Sequence, residues 1–115
     1  MSVVIYHNPR CSKSRQTLQL LKDRGIEPEV IEYLKTPPGK AKLQQILELL
    51  DLKPRQLLRR KEPIYKEQGL DDDSLSDSQL LEAMIDNPVL IERPIVLANG
   101  KAALGRPPEK VLEII

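Results

Sequence analysis

The only cysteine of the chain stands in the segment His7-Asn8-Pro9-Arg10-Cys11-Ser12-Lys13-Ser14-Arg15, behind the apolar run Val3-Val4-Ile5-Tyr6. A helical pattern follows it. A thiol at such a strand-to-helix junction meets the positive end of a helix and its unpaired backbone N–H groups. Both favour the thiolate, which is the reactive form, and the basic residues of the same turn add to the effect. A free thiol titrates at about 8.5, and a helix N-terminus or adjacent cation can bring it to roughly 3.5–7.5. Asn8, Pro9, Arg10, Ser12, Lys13 and Ser14 are poor core neighbours, so the thiol is expected to be exposed. The spacing therefore predicts a poised nucleophile that also attracts anions.

Position 14 is serine, so the motif is Cys-Ser-Lys-Ser and not Cys-x-x-Cys. A lone cysteine cannot expel a bound partner by closing its own disulfide. Any oxidised adduct at Cys11 must be resolved by a thiol from another molecule. His7, the only histidine, lies four residues before the thiol. It is placed to supply positive charge or a hydrogen bond, and electrostatic support is favoured over a proton shuttle. Arg93-Pro94, Arg106-Pro107 and Arg59-Arg60 are arginine steps near element ends. A guanidinium fork can hold two oxygens of a tetrahedral oxyanion at once. Spacing alone leaves open whether these arginines converge.

The elements that must position these groups are legible from periodicity. Residues 3–7 read as a short buried strand ending at Asn8-Pro9. Residues 12–24 read as a helix with Ser12 as N-cap, Thr17, Leu18, Leu20 and Leu21 towards the core, and Gly25 as terminator. Val30, Ile31 and Tyr33 suggest a second strand parallel to the first. After the break at Thr36-Pro37-Pro38-Gly39, Leu43, Ile46, Leu47 and Leu50 form an i, i+3, i+4, i+7 stripe. Pro54 opens a short helix holding Leu57 and Leu58, and residues 61–75 look mostly irregular. Asp71-Asp72-Asp73 is read as a solvated loop and not as a metal site. Ser76-Asp77-Ser78-Gln79 is a capping box for a helix carrying Leu80, Leu81, Met84 and Ile85, stopped by Asn87-Pro88. Val89-Leu90-Ile91 and Ile95-Val96-Leu97 read as strands. Asn99-Gly100 is a two-residue hairpin turn that returns Ala102–Leu104 antiparallel. Pro107-Pro108 opens a final helix with Val111, Leu112 and Ile115. The order is β-α-β, a helical insert at about 39–87, then β-β-α: a mixed α/β sheet in the thioredoxin layout, read as one domain over 1–115.

The composition narrows the class. A chain of 115 residues suits one domain. It contains no Phe or Trp, and its net charge is +1. An aromatic base-stacking surface and bulk electrostatic attraction are both disfavoured, so no nucleic-acid partner is expected. No run approaches the roughly 18 apolar residues of a membrane span. Neither a secretory leader nor a disulfide framework is visible, which points to the cytoplasm.

With these features in view, Ile5–Arg15 resembles the active-site segment of the glutaredoxin-linked arsenate reductases, the ArsC family. Further similar blocks are Tyr33–Pro38, Leu57-Leu58-Arg59, Asn87–Val96 and Gly105-Arg106-Pro107, in the family's order. The resemblance implies a thioredoxin-like fold in which Cys11 attacks arsenate, with His7 and Ser14 supporting the thiolate. It implies that Arg59, Arg93 and Arg106 hold the oxyanion, that Pro94 is cis, and that no cofactor is bound. Glutathione as co-substrate and a glutaredoxin would supply electrons, in a cytoplasmic monomer serving arsenic detoxification. Arg10 and Ser12-Lys13 stand where many such enzymes carry a small residue and Gly-Thr, and the chain is similar to the compact YfgD-like members. Two other readings stay open: a glutathione-dependent thiol-disulfide oxidoreductase of the same fold, and an Spx-like regulator that binds RNA polymerase. Ser14 in place of a second cysteine and the presence of all three arginines favour the enzyme.

Overall fold

The computed structural model describes residues 2–115. They divide into two compact units, one running up to Thr36 and resuming over Arg93–Ile115, the other formed by Pro37–Glu92.

The first unit holds strands β1 (Val3–His7), β2 (Glu29–Glu32), β3 (Ile95–Ala98) and β4 (Lys101–Leu104), with helix α1 (Ser12–Asp23) and a terminal 3-10 segment, Pro108–Ile114. The sheet order is β2-β1-β3-β4. β1 pairs in parallel with β2 and antiparallel with β3, which pairs antiparallel with β4. In register, Ile5 faces Val96 and Val3 faces Ala98. Side chains two apart share a face of a strand, so these four form one surface. Leu21 of α1 and Val111 pack on it, with Leu18, Leu20 and Ile26 at its margin. The same alternation puts His7 on the α1 side of β1, at the end where α1 begins. Asn99 and Gly100 both have positive φ, 54° and 71°, the backbone that a tight hairpin between right-twisted strands demands.

The second unit contains α2 (Lys40–Leu50), α3 (Pro54–Leu57), α4 (Pro63–Glu67) and α5 (Asp77–Asp86). The stripe residues Leu43, Ile46 and Leu47 are buried, as are Leu80, Leu81 and Met84 of α5. The capping box of α5 is formed: the Gln79 amide donates to Ser76 Oγ at 3.2 Å, and the Ser76 amide donates to Gln79 Oε1 at 2.8 Å.

Several expectations are corrected. Cys11, not Ser12, occupies the N-cap of α1. β2 stops at Glu32, and Tyr33 is buried in the following turn. Residues 61–75 include the short helix α4, opened by Pro63. Val89-Leu90-Ile91 is not a strand: Pro88–Leu90 forms a 3-10 turn, because Pro88 is held at a helical φ and Ile91 N–H closes onto its carbonyl at 3.0 Å. Only Ile91 forms a bridge, to Leu58. The final helix is 3-10 and not α; Pro107 and Pro108 remove two successive donors, and Lys110 N–H bonds Pro107 O at 3.0 Å.

Candidate active site

Cys11 is positioned by a tight turn between β1 and α1. The Cys11 amide donates to Asn8 O at 3.0 Å, and the Arg10 amide donates to Asn8 Oδ1 at 3.0 Å. Arg15 reaches back from α1, its Nη1 donating to Pro9 O at 2.9 Å. The Asn8 amide donates to Ser14 Oγ at 3.0 Å. Both sides of the turn are therefore tied to the first helical turn.

Cys11 retains only 8% of its surface accessible, which corrects the expected exposure. Polar neighbours in sequence do not expose a thiol that the turn folds in against the helix start. Burial pushes the Cys11 thiol up, but it is outweighed. The Ser14 and Lys13 amides and the guanidinium groups of Arg93 and Arg106 hold the thiol below its ordinary value. The sulfur closes no capping hydrogen bond of normal geometry, so these amides act on it as oriented dipoles at the helix terminus. Arg93 and Arg106 are linked to each other: Arg106 Nη1 donates to Arg93 O at 3.3 Å. Beside them, the Gly105 amide donates to Pro94 O at 3.0 Å. The Arg93–Pro94 and Arg106–Pro107 peptide bonds are both cis.

His7 is buried, with Nδ1 at 2.6 Å from Ser14 Oγ. Burial lowers the imidazole's proton affinity; Glu32 opposes this, while Arg15 and Lys22 reinforce it. The net direction is down, so His7 is neutral near pH 7 and supplies no positive charge. This corrects the electrostatic role expected of it. Its coupling to the thiol runs through Ser14, whose own amide acts on the sulfur.

Cys11, His7, Ser14, Arg93, Pro94 and Arg106 all belong to the first unit. Arg59 belongs to the second. There its amide donates to Leu90 O at 2.8 Å, and its guanidinium pairs with Glu62 at 2.7 Å and more loosely with Glu92 at 3.9 Å. Among the described residues no cluster of His, Cys, Asp or Glu is placed to hold a metal ion, and no helix is long and apolar enough to cross a membrane.

Residues 6–114 match the ArsC family. The chain belongs to the ArsC family. It is 60% identical to the YfgD protein of Escherichia coli strain K12 over 114 residues, covering 98% of this chain and 96% of that protein. It is 52% identical to an arsenate reductase of Neisseria meningitidis, over 98% of this chain and 97% of the relative. The solved arsenate reductase from Vibrio cholerae superposes with a TM-score of 0.97 at 56% identity, over 100% of this chain and 98% of that one. The fold is the thioredoxin-like fold of ArsC proteins, as the segment around Cys11 implied.

Two features of this ArsC site escaped the sequence. One is the second cis bond, at Arg106–Pro107. The other is Gly105, where an added Cβ would meet Thr17 and Pro94. A glycine next to an Arg-Pro step, outside any turn, was the available signal.

Proposed function

We propose that this ArsC protein reduces arsenate to arsenite, using Cys11 as nucleophile and glutathione with a glutaredoxin as external reductant. The observation that carries the reading is the placement of Cys11 at the N-cap of α1 under the charge of Arg93 and Arg106. An anionic nucleophile and an anionic substrate repel each other. The two guanidinium groups offset that repulsion and stabilise charge that builds on oxygen as the bond to sulfur forms.

In this reading the Cys11 thiolate attacks As(V). A new S–As bond replaces one As–O bond, and the departing oxygen leaves as water after taking a proton. A glutathione thiolate then attacks the Cys11 sulfur. The S–As bond breaks, its electron pair stays on arsenic, and arsenite leaves as As(III). Cys11 is left as a mixed disulfide with glutathione, which a glutaredoxin thiolate resolves, restoring the Cys11 thiolate. Two external thiols are oxidised to one disulfide for each arsenate. The chain supplies no second cysteine for that step. Arg59 enters as a third oxyanion ligand on the family resemblance alone.

A second reading shares the thiolate: attack on a glutathione mixed disulfide, with arsenate a side activity. The same lone thiolate would serve that attack, since a mixed disulfide at Cys11 also needs an external thiol to resolve it. The deciding experiment is an NADPH-coupled assay with glutathione, glutathione reductase and a glutaredoxin, run with arsenate or with a glutathione mixed disulfide. Arsenate-dependent oxidation lost in Cys11→Ser is expected. Activity with the mixed disulfide alone would replace the first reading by the second. Arg59→Ala is expected to lower kcat/KM for arsenate; an unchanged value removes Arg59 from the site.

A further inference from the structure

Gly105 directly precedes Arg106, yet its backbone lies outside the positive-φ region that calls for glycine. What excludes a side chain there is space. A Cβ at position 105 would lie 2.7 Å from Pro94 Cγ and 3.1 Å from Thr17 Cγ2, and would run into Thr17 Oγ1. Gly25, Gly39, Gly69 and Gly100 would each place a Cβ with nothing within 4 Å. Gly105 is thus the glycine in this chain whose missing side chain permits a close approach.

The neighbours it approaches are fixed. Thr17 is fully buried in α1, and its hydroxyl donates to Lys13 O at 2.8 Å. Lys13 is one of the two residues whose amides act on the Cys11 sulfur. On the other side, the Gly105 amide holds Pro94 O, and Arg106 holds Arg93 O. The second turn of α1, tied through Thr17 to Lys13 in the first, and the pair of arginine loops therefore meet at Gly105.

We propose that Gly105 is a positioning residue: by carrying no side chain, it lets the Arg93 and Arg106 loops close against Thr17 and so sets their reach to Cys11. The proposal deepens the reading of Cys11 as the working thiolate. A methyl group at 105 would wedge the loops from α1 and move both guanidinium groups away from the sulfur together. The thiolate would lose their charge while the rest of α1, including the Lys13 and Ser14 amides, stayed in place.

The test reads the thiolate and not arsenate turnover, so a wrong substrate assignment leaves its result standing. The rate of Cys11 alkylation by iodoacetamide is measured against pH in the full chain. In Gly105→Ala the midpoint is expected to rise by about one pH unit, the lower end of what an opposite charge at close range supplies. Adding Thr17→Ala removes the heaviest part of the clash and is expected to recover at least half of that rise. Val3→Ala, at the far end of β1 from the turn, serves as a packing control. It is expected to lower the melting temperature without moving the midpoint. A folded Gly105→Ala with an unmoved midpoint overturns the proposal, as does an equal rise in Val3→Ala. Should Gly105→Ala fail to fold, the double variant decides: a midpoint near that of the parent supports the proposal, and loss of folding there too overturns it.

Discussion

Ser14 Oγ stands 2.6 Å from His7 Nδ1 and also accepts the Asn8 amide at 3.0 Å. With one lone pair taken by that amide, the hydroxyl keeps its hydrogen and a second lone pair, so it pairs with Nδ1 in either neutral tautomer of the ring. One buried hydroxyl thus joins the end of β1, the turn before Cys11 and the first turn of α1. Ser14→Ala would take this partner from the buried His7 ring and from the part-buried Asn8 amide, and stranding one buried polar group costs about 1–3 kcal/mol. Urea denaturation of the variant is expected to show a loss of at least that size. Stability equal to the parent would mean that the hydroxyl does not organise the turn.

His7 gives the protein a pH-dependent stability whose sign follows from burial. Its folded proton affinity is lowered, with burial first, Arg15 and Lys22 adding to it, and Glu32 opposing. The unfolded imidazole takes a proton at about 6.5. Between that value and the lower folded one, the unfolded chain binds more protons, so stability falls as pH drops through this window and is flat just above it. Equilibrium unfolding measured from neutral pH towards pH 5 is expected to show the slope, and His7→Gln to remove it. A slope that persists in His7→Gln assigns the titration to another group. Cys11 acts at the other end of the range. Its folded value is depressed, so its contribution is fully present above the free-thiol value and is lost as pH falls through the folded one.

How much of this was legible in the chain depends on which physical signal each residue carries. The β1–turn–α1 unit was readable because Val3–Tyr6, Asn8-Pro9 and the Leu21 side of α1 are local signals that tertiary packing reinforces. The capping box at Ser76 and the turn at Asn99-Gly100 are local in the same way, and both are present. Val89-Leu90-Ile91 looked like a strand from its β-branched and apolar content. Pro88 overrode that propensity by fixing φ and starting a 3-10 turn. The exposure of Cys11 was misjudged because polar neighbours describe the turn's surface and say nothing of which way the thiol folds. The protonation of His7 was likewise out of reach, since it depends on burial first and then on Glu32, twenty-five positions away in sequence, and on Arg15 and Lys22. The pairing of Arg106 with Arg93 and the close approach at Gly105 join residues distant along the chain, and no periodicity encodes them.

The sheet face beneath α1 predicts where stability resides in the first unit. Leu21 has no accessible surface and packs on Val3, Ile5, Val96 and Ala98. Truncating a leucine in such a site costs about 2–5 kcal/mol, the spread reflecting how far neighbours relax into the cavity. Leu21→Ala is expected to fall in that range by denaturant unfolding. Leu18, which is half-buried at the margin, should cost less on the same change. If Leu18→Ala proves the more damaging, the core lies elsewhere than the face shared by Ile5 and Val96.

Arg93 and Arg106 predict two measurable effects from one arrangement. Both guanidinium groups favour the Cys11 thiolate, so Arg93→Ala and Arg106→Ala should each raise the midpoint of Cys11 alkylation against pH. Burial of the thiol, no longer outweighed to the same extent, then acts in the same direction. If the arginines also stabilise charge on the oxyanion, each change should reduce arsenate kcat by about 10²–10³, the scale for losing one preorganised donor. The two residues should not behave independently, because Arg106 Nη1 donates to the Arg93 carbonyl at 3.3 Å. Residues that share a network show coupling of about 0.5–3 kcal/mol in a double-mutant cycle. The double variant is therefore expected to lose less than the product of the single losses, since removing Arg106 already loosens the loop that carries Arg93. Strictly multiplicative losses would show that the two side chains reach the substrate separately and that the bond between them does not hold the site together.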